Sequence, residues 1–272
     1  MKDYPDLFAG SEPGREEGPA TRVLFLDTET TGPDPATADV CEIGAVLASY
    51  SGFARTAQPL QEYLSLIRPG EAIPPEASAV HHITNAMVKD APTARQVEPA
   101  LRSLVESADC LCAHNAPFDF MILGRLLPNT FRPLLEPRIL DSLRLARHIW
   151  PDVPSHALQA LRYRFDLGAD NSGDPHRALF DAHLARELVE FVISSGRTGC
   201  ADWAGLVEYA RSPLEVSTFT FGKYRGSLVE DIVAQDADYV RWLLQQKWVP
   251  ADYPDLYSTL LRKLGPEGGR GK

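Results

Sequence analysis

Apolar residues first gather at Val23-Leu24-Phe25-Leu26, four in a row, which suits a fully buried central strand. Residues 40–50, carrying Ile43, Val46 and Leu47, and residues 60–67 predict two more strands. Helical spacing follows over 94–106, and 109–113 (DCLCA) is another short apolar strand. Further helices are predicted over 118–126, 140–150, 155–164 and, longest, 175–194. Strands first, then strand alternating with helix, predict an α/β domain with a mixed central sheet flanked by helices.

This domain is expected to span 21–196. Before it, residues 1–20 mix Gly, Pro and acidic residues with little to bury and predict a disordered tail. After it, 197–213 predicts a short helix and a linker ending at Ser212-Pro213. A second pattern then occupies 214–264: an alternating stretch at 217–221, a Gly-bounded turn at 222–226, and a second strand or helix start at 227–232. Two short helices near 237–246 and 253–264 complete a small α+β domain, and 265–272 is a tail. About fifty residues make a marginal core, so this unit is expected to dock on the first.

Composition changes little in this picture. A 44% hydrophobic and 24% charged chain of 272 residues is ordinary for a soluble globular protein. It holds no run of about 18 apolar residues to span a membrane, and its N-terminus does not resemble a secretory signal. Cys41, Cys110, Cys112 and Cys200 form no C-x-x-C pair, which predicts reduced, buried thiols in a cytosolic protein. Charge matters more. A net charge of −10 argues against a broad basic nucleic-acid surface. It does not argue against an enzyme that meets phosphate through bound divalent cations, which supply the local positive charge.

Candidate chemistry begins at the end of the first strand. In Asp27-Thr28-Glu29 the two carboxylates project to one face, an arrangement suited to a hard divalent cation. Taken alone, D-x-E reads first as a solvated strand end. Thr30-Thr31-Gly32 follows, a turn that a ligand can approach closely. Asp119 opens a helix just after the buried strand 109–113, where sites form in α/β sheets, although one acid there also complements a helix dipole. His176 and Asp181 open the last long helix, slightly more than a turn apart. A histidine near its neutral pKa suits deprotonation of water.

The segments FLDTETTG, HNAPFD and HRALFD resemble the three motifs of the DEDDh exonucleases, the proofreading-subunit-like family with an RNase H-like fold. The resemblance covers about residues 21–195. VHHITNAMV, LARHIWP and FTFGKYRG further resemble the exodeoxyribonuclease X branch of that family, including its small C-terminal extension. The resemblance implies a metal-dependent 3′–5′ exonuclease with Asp27, Glu29, Asp119, His176 and Asp181 as its active site. Asp27, Glu29 and Asp181 would hold a first Mg²⁺, Asp27 would bridge to a second, and Asp119 would support that second ion through water, with Mn²⁺ able to substitute. His176 would be the general base, and the products nucleoside 5′-monophosphates. Thr30, Thr31, Gly32, Glu76, His81, Ile83, Asn115 and Phe118 would meet the 3′-terminal nucleotide, although His81 could instead cap a helix end.

Phe219, Phe221, Lys223, Tyr224 and Arg225 interleave aromatic and basic residues. They read either as a nucleic-acid platform, with Lys223, Tyr224 and Arg225 in contact, or as a hairpin whose Phe residues fill its own core. The implied partner is DNA with a free 3′ end, single-stranded or duplex, in the cytoplasm of a bacterium and in repair or recombination. Neither a membrane nor a polymerase partner is expected. Two other readings remain open at this point, an RNA 3′-end-trimming exoribonuclease and a proofreading subunit bound to a DNA polymerase.

Overall fold

A computed structural model describes residues 20–53, 57–131, 138–168 and 176–265. Apart from Ala20 and Gly265, the tails expected at 1–20 and 265–272 lie outside the described residues. Five strands form one sheet in the order β3-β2-β1-β4-β5: β1 (Thr21–Thr30), β2 (Val40–Tyr50), β3 (Gln58–Leu66), β4 (Cys110–Ala113) and β5 (Ile139–Asp141). β1 pairs antiparallel with β2 and parallel with β4, so the sheet is mixed and β1 is central.

Alternation along β1 explains its burial. Leu24 and Leu26 point to one core, with residues of α3 (Ala94–Ser107) and α4 (Ala116–Leu126). Val23 and Phe25 point to the other, with residues of α6 (Ser142–Ile149), α8 (Ala178–Ser195) and α9 (Trp203–Arg211). A strand covered on both faces must be apolar throughout, as VLFL is. The polarity changes at the strand's C-terminal end, where Asp27 and Glu29 continue the α8 side and Thr28 the α4 side.

Three details differ from expectation. Residues 140–150 were expected as one helix, but 139–141 form β5 and Asp141 then caps α6, its carboxylate accepting from the Leu143 N–H at 2.9 Å. A three-residue strand is too short to carry a period of its own. Residues 203–211 are part of the main core: Trp203, Leu206, Val207 and Ala210 of α9 are buried in it, and Trp203 packs on Tyr50 with ring centroids 4.6 Å apart. The stretch 217–221 forms only one antiparallel bridge, Thr218 with Leu228.

Helices α10 (Val229–Gln235), α11 (Ala237–Leu244), α12 (Trp248–Asp252) and α13 (Pro254–Leu264) surround the core of this C-terminal unit. The unit is docked on the first. Arg144 of α6 donates to both carboxylate oxygens of Asp255 at 3.0 Å, and to the carbonyls of Ala210 and Ser212.

Candidate active site

The site forms where β1 ends beneath the first turn of α8. Asp27 faces Gly44 across the β1–β2 ladder, and Gly44 in turn meets the backbone of α8. A Cβ at Gly44 would lie 2.1–2.5 Å from backbone atoms of Ala178 and Leu179, so only glycine lets helix and strand approach this closely. Glu42, two residues earlier and fully buried, completes the mooring. Its carboxylate accepts from the Ala178 N–H at 2.9 Å and from Arg177 Nε at 3.0 and 3.1 Å. An acid on the exposed amides of a helix start is stabilising, and Arg177 neutralises its charge.

That geometry brings Asp181 to β1. One carboxylate oxygen each from Asp27, Glu29 and Asp181 lie within 4.8 Å of one another. Asp119, 3% exposed, approaches from the other side of the strand, held by a 2.6 Å hydrogen bond from Thr28 Oγ1. It lies outside the three-carboxylate group but within its field, since Asp119 is among the charges that raise Asp27.

The electrostatics are adverse throughout. Burial, then repulsion from Asp119, Asp181, Glu29 and Glu42, holds the Asp27 carboxyl well above the usual range. Burial first, and Asp181 next, push Glu29 up to about 8. Burial raises Asp119 to about 7 against the Thr28 hydrogen bond, and Asp181 to about 6. Asp181 rises least because His176 and a hydrogen bond from Gln159 Nε2, at 2.5 Å, oppose burial. Oxygen-only donors crowded in this way fit a hard divalent cation, whose charge would reverse every one of these shifts.

His176 is exposed at the mouth, with φ 60° in the left-handed region, one residue before Arg177. His is among the residues that tolerate this conformation, and the turn carries its side chain outside the helix that bears Asp181.

The residues expected around the nucleotide divide. Thr30 and Thr31 form a bonded turn: Thr30 Oγ1 donates to the Gly32 carbonyl at 2.8 Å, and Thr31 exchanges backbone and hydroxyl bonds with Asp39. Glu76 and Asn115 are exposed, and Phe118 is half-buried against the α3–α4 core. Asn115 caps α4 in the left-handed region, its amide bonded to Asp141.

His81 and Ile83 are buried, at 2% and 0% exposure. His81 Nδ1 accepts from the Ile83 N–H at 3.0 Å, leaving Nε2 to face the Thr30 carbonyl at 3.2 Å. Burial lowers the His81 pKa, so it ties α1 (Pro75–His81) to the end of β1 as a neutral ring. Ile83 packs with Cys41, Ile73 and Val88. Neither side chain presents a surface to a ligand here.

In the C-terminal unit Phe219 is buried and Phe221 packs on Tyr253 with centroids 4.0 Å apart, as the core-filling alternative expects. Lys223 and Tyr224 both bond Asp236, at 2.9 and 2.6 Å, and Arg225 is exposed.

Sequence reasoning missed Glu42, Gly44, Arg177, Gln159 and Asp141. Glu42 did carry a signal, as an acid inside the apolar run VCEIGAV; Gln159 carried none.

Comparison with known proteins extends this geometry. Residues 24–189 match the model of the exonuclease (RNase T) family, and 219–247 match the exodeoxyribonuclease X-like C-terminal model. Exodeoxyribonuclease 10 of Escherichia coli K12 is 29% identical over 242 residues, 88% of this chain and 97% of that protein. The DNA polymerase III epsilon subunit of Rickettsia prowazekii is 36% identical over 183 residues, 65% of this chain and 75% of that one. A solved structure of exonuclease X in complex with 5′-overhanging duplex DNA matches with a TM-score of 0.53 at 26% identity, covering 70% of this chain and 99% of that chain.

Proposed function

Since the chain belongs to the exonuclease family and carries an exodeoxyribonuclease X-like C-terminal unit, we propose that it hydrolyses DNA from a free 3′ end. The products are nucleoside 5′-monophosphates. The enzyme acts without a polymerase, in repair or recombination. The convergence of Asp27, Glu29 and Asp181 carries this reading, because three carboxylates crowded at one point, Asp181 buried and the other two half-buried, repel one another until a cation binds them.

Asp27, Glu29 and Asp181 would hold the divalent cations, Mg²⁺ with Mn²⁺ able to substitute, and Asp119 would support the second of two. Bound there, the ions supply positive charge for the attacking and leaving oxygens and acidify water. The protein's own groups do the rest. His176, exposed to solvent on one side and beside Asp181 on the other, takes the proton from the nucleophilic water. Asp181 keeps the imidazolium formed in that step electrostatically favourable. The Thr30–Thr31–Gly32 turn offers small side chains and backbone to the terminal nucleotide, with Glu76, Asn115 and the Phe118 ring at its edge. His81 and Ile83 act from behind, by fixing that turn.

Digestion of 5′-labelled DNA and matched RNA, with and without Mg²⁺ or Mn²⁺, tests the proposal. A metal-dependent ladder shortening from the 3′ end of DNA is expected. Faster RNA trimming would replace the DNA reading, and no product with any metal would end it. The epsilon-subunit relative favours a second reading, proofreading within a polymerase. Stable co-purification with a polymerase, and weak activity of the isolated chain, would select it.

A further inference from the structure

On the α3–α4 side of the sheet a cleft of about 500 Å³ opens at the start of β2. Three arginines line it, Arg68, Arg95 and Arg125, against one acid, Asp39, and an apolar floor that includes Val40 and Ile67. Such a concentration of positive charge is unusual in a chain of net charge −10. Asp39 is already engaged, accepting from the Gly70 amide at 2.8 Å and pairing with Arg125 Nη1 at 3.7 Å. Arg125 also donates to the Ala38 carbonyl, so it belongs to the wall. Arg68 and Arg95 are exposed and have no acidic partner among the described residues. Two guanidinium groups remain to meet an anion.

The cleft is continuous with the catalytic strand. Val40, in its wall, is the ladder partner of Thr30, one position beyond Glu29. Directly opposed residues on neighbouring strands lie about 5 Å apart. Asp39 is bonded twice to Thr31, through its carbonyl and its amide, so the wall and the substrate turn are one unit. A chain whose 3′ end sits at that turn has its next phosphates within reach of this side.

We propose that this cleft binds phosphodiester groups of the DNA strand a few nucleotides upstream of the scissile bond, with Arg68 and Arg95 as the phosphate contacts. The assignment rests on the exonuclease reading for the identity of the strand. Arginine suits the task, since its planar fork matches phosphate oxygens. Contact with phosphate alone carries no base preference, so the cleft adds affinity without sequence specificity.

The test is equilibrium binding of fluorescein-labelled dT20 and dT3 to the full chain in Ca²⁺, across a salt series, for wild type and Arg68→Ala/Arg95→Ala. Each single-strand phosphate contact contributes about 0.7 to the slope of log affinity against log salt, so losing two should flatten it by about 1.4. Affinity for dT20 is expected to fall about tenfold or more, while dT3 binding changes little. Arg22→Ala, at the far end of β1, is the control and should leave both unchanged. An unaltered slope and unaltered dT20 affinity in the double variant would overturn the proposal, as would an equal loss on dT3. Circular dichroism of the variant separates loss of contact from loss of fold. Hydrolysis is read separately: wild-type chain that binds DNA but does not cut it counts against the exonuclease reading alone.

Discussion

Two aspartates in this molecule live in opposite worlds. Asp27 is surrounded by other acids at the end of β1, and its carboxyl is held far above the usual range. Asp236, in the C-terminal unit, accepts from Tyr224, Lys223 and the Tyr239 amide, and is held down at about 2. The same side chain is thus a liability in one region and a strut in the other. The difference marks the candidate site: elsewhere the fold pairs its acids with cations and donors, whereas at the end of β1 it crowds acids against one another, as the proposed cation site requires.

Asp27→Asn should move the comparison furthest. Loss of several kcal/mol of charge stabilisation corresponds to a fall in turnover of about a thousandfold or more. Melting of the metal-free protein should at the same time shift upward, because one repulsive charge is gone; a lowered melting temperature would contradict the account of the site. His176→Asn follows, with a loss of about 10²–10⁴ in turnover and unchanged melting, since Asn also tolerates the left-handed backbone at this position. Wild-type activity in that variant would remove His176 as the base.

Gln159→Leu should weaken the apparent affinity for Mg²⁺ by about 10–100-fold, since its bond orients Asp181, and excess metal should restore turnover. A variant with an unaltered metal titration would make Gln159 a packing residue.

The smallest effect is in pH. In the metal-free protein Glu29, Asp119 and Asp181 bind protons more tightly than in the unfolded chain, so stability should rise as pH is lowered from about 8 toward about 4. Asp236 has the opposite sign: its contribution is present above about 4 and is lost as pH falls toward 2. Asp236→Asn should therefore flatten the acid limb of the melting curve, and Asp27→Asn its neutral limb.

Much of the candidate site was legible because its residues sit at element boundaries, where an apolar strand ends in acids or a helix opens with His-Arg-x-x-x-Asp. The parts that escaped depend on three-dimensional neighbours. Gln159 is distinguished only by standing opposite Asp181, twenty-two residues away. Residues 203–211 read as a short helix within a linker; Trp203, Leu206, Val207 and Ala210 do recur at helical spacing, but spacing alone does not say that this face packs into the main core, with Trp203 on Tyr50. His81 matched a motif, yet its surroundings turned it inward.

The missing methyl at Gly44 has a final consequence. Where it would stand, main chain touches main chain, and main chains have no rotamers to exchange. The spacing between α8, which carries Asp181, and the ladder partner of the strand that carries Asp27 and Glu29 is therefore gauged by the peptide backbone itself, much as a shim sets the gap between machined plates. A side chain at that point could be repacked by its neighbours over time. Bare backbone offers no such adjustment, so the gap is handed unchanged to whatever the carboxylates hold.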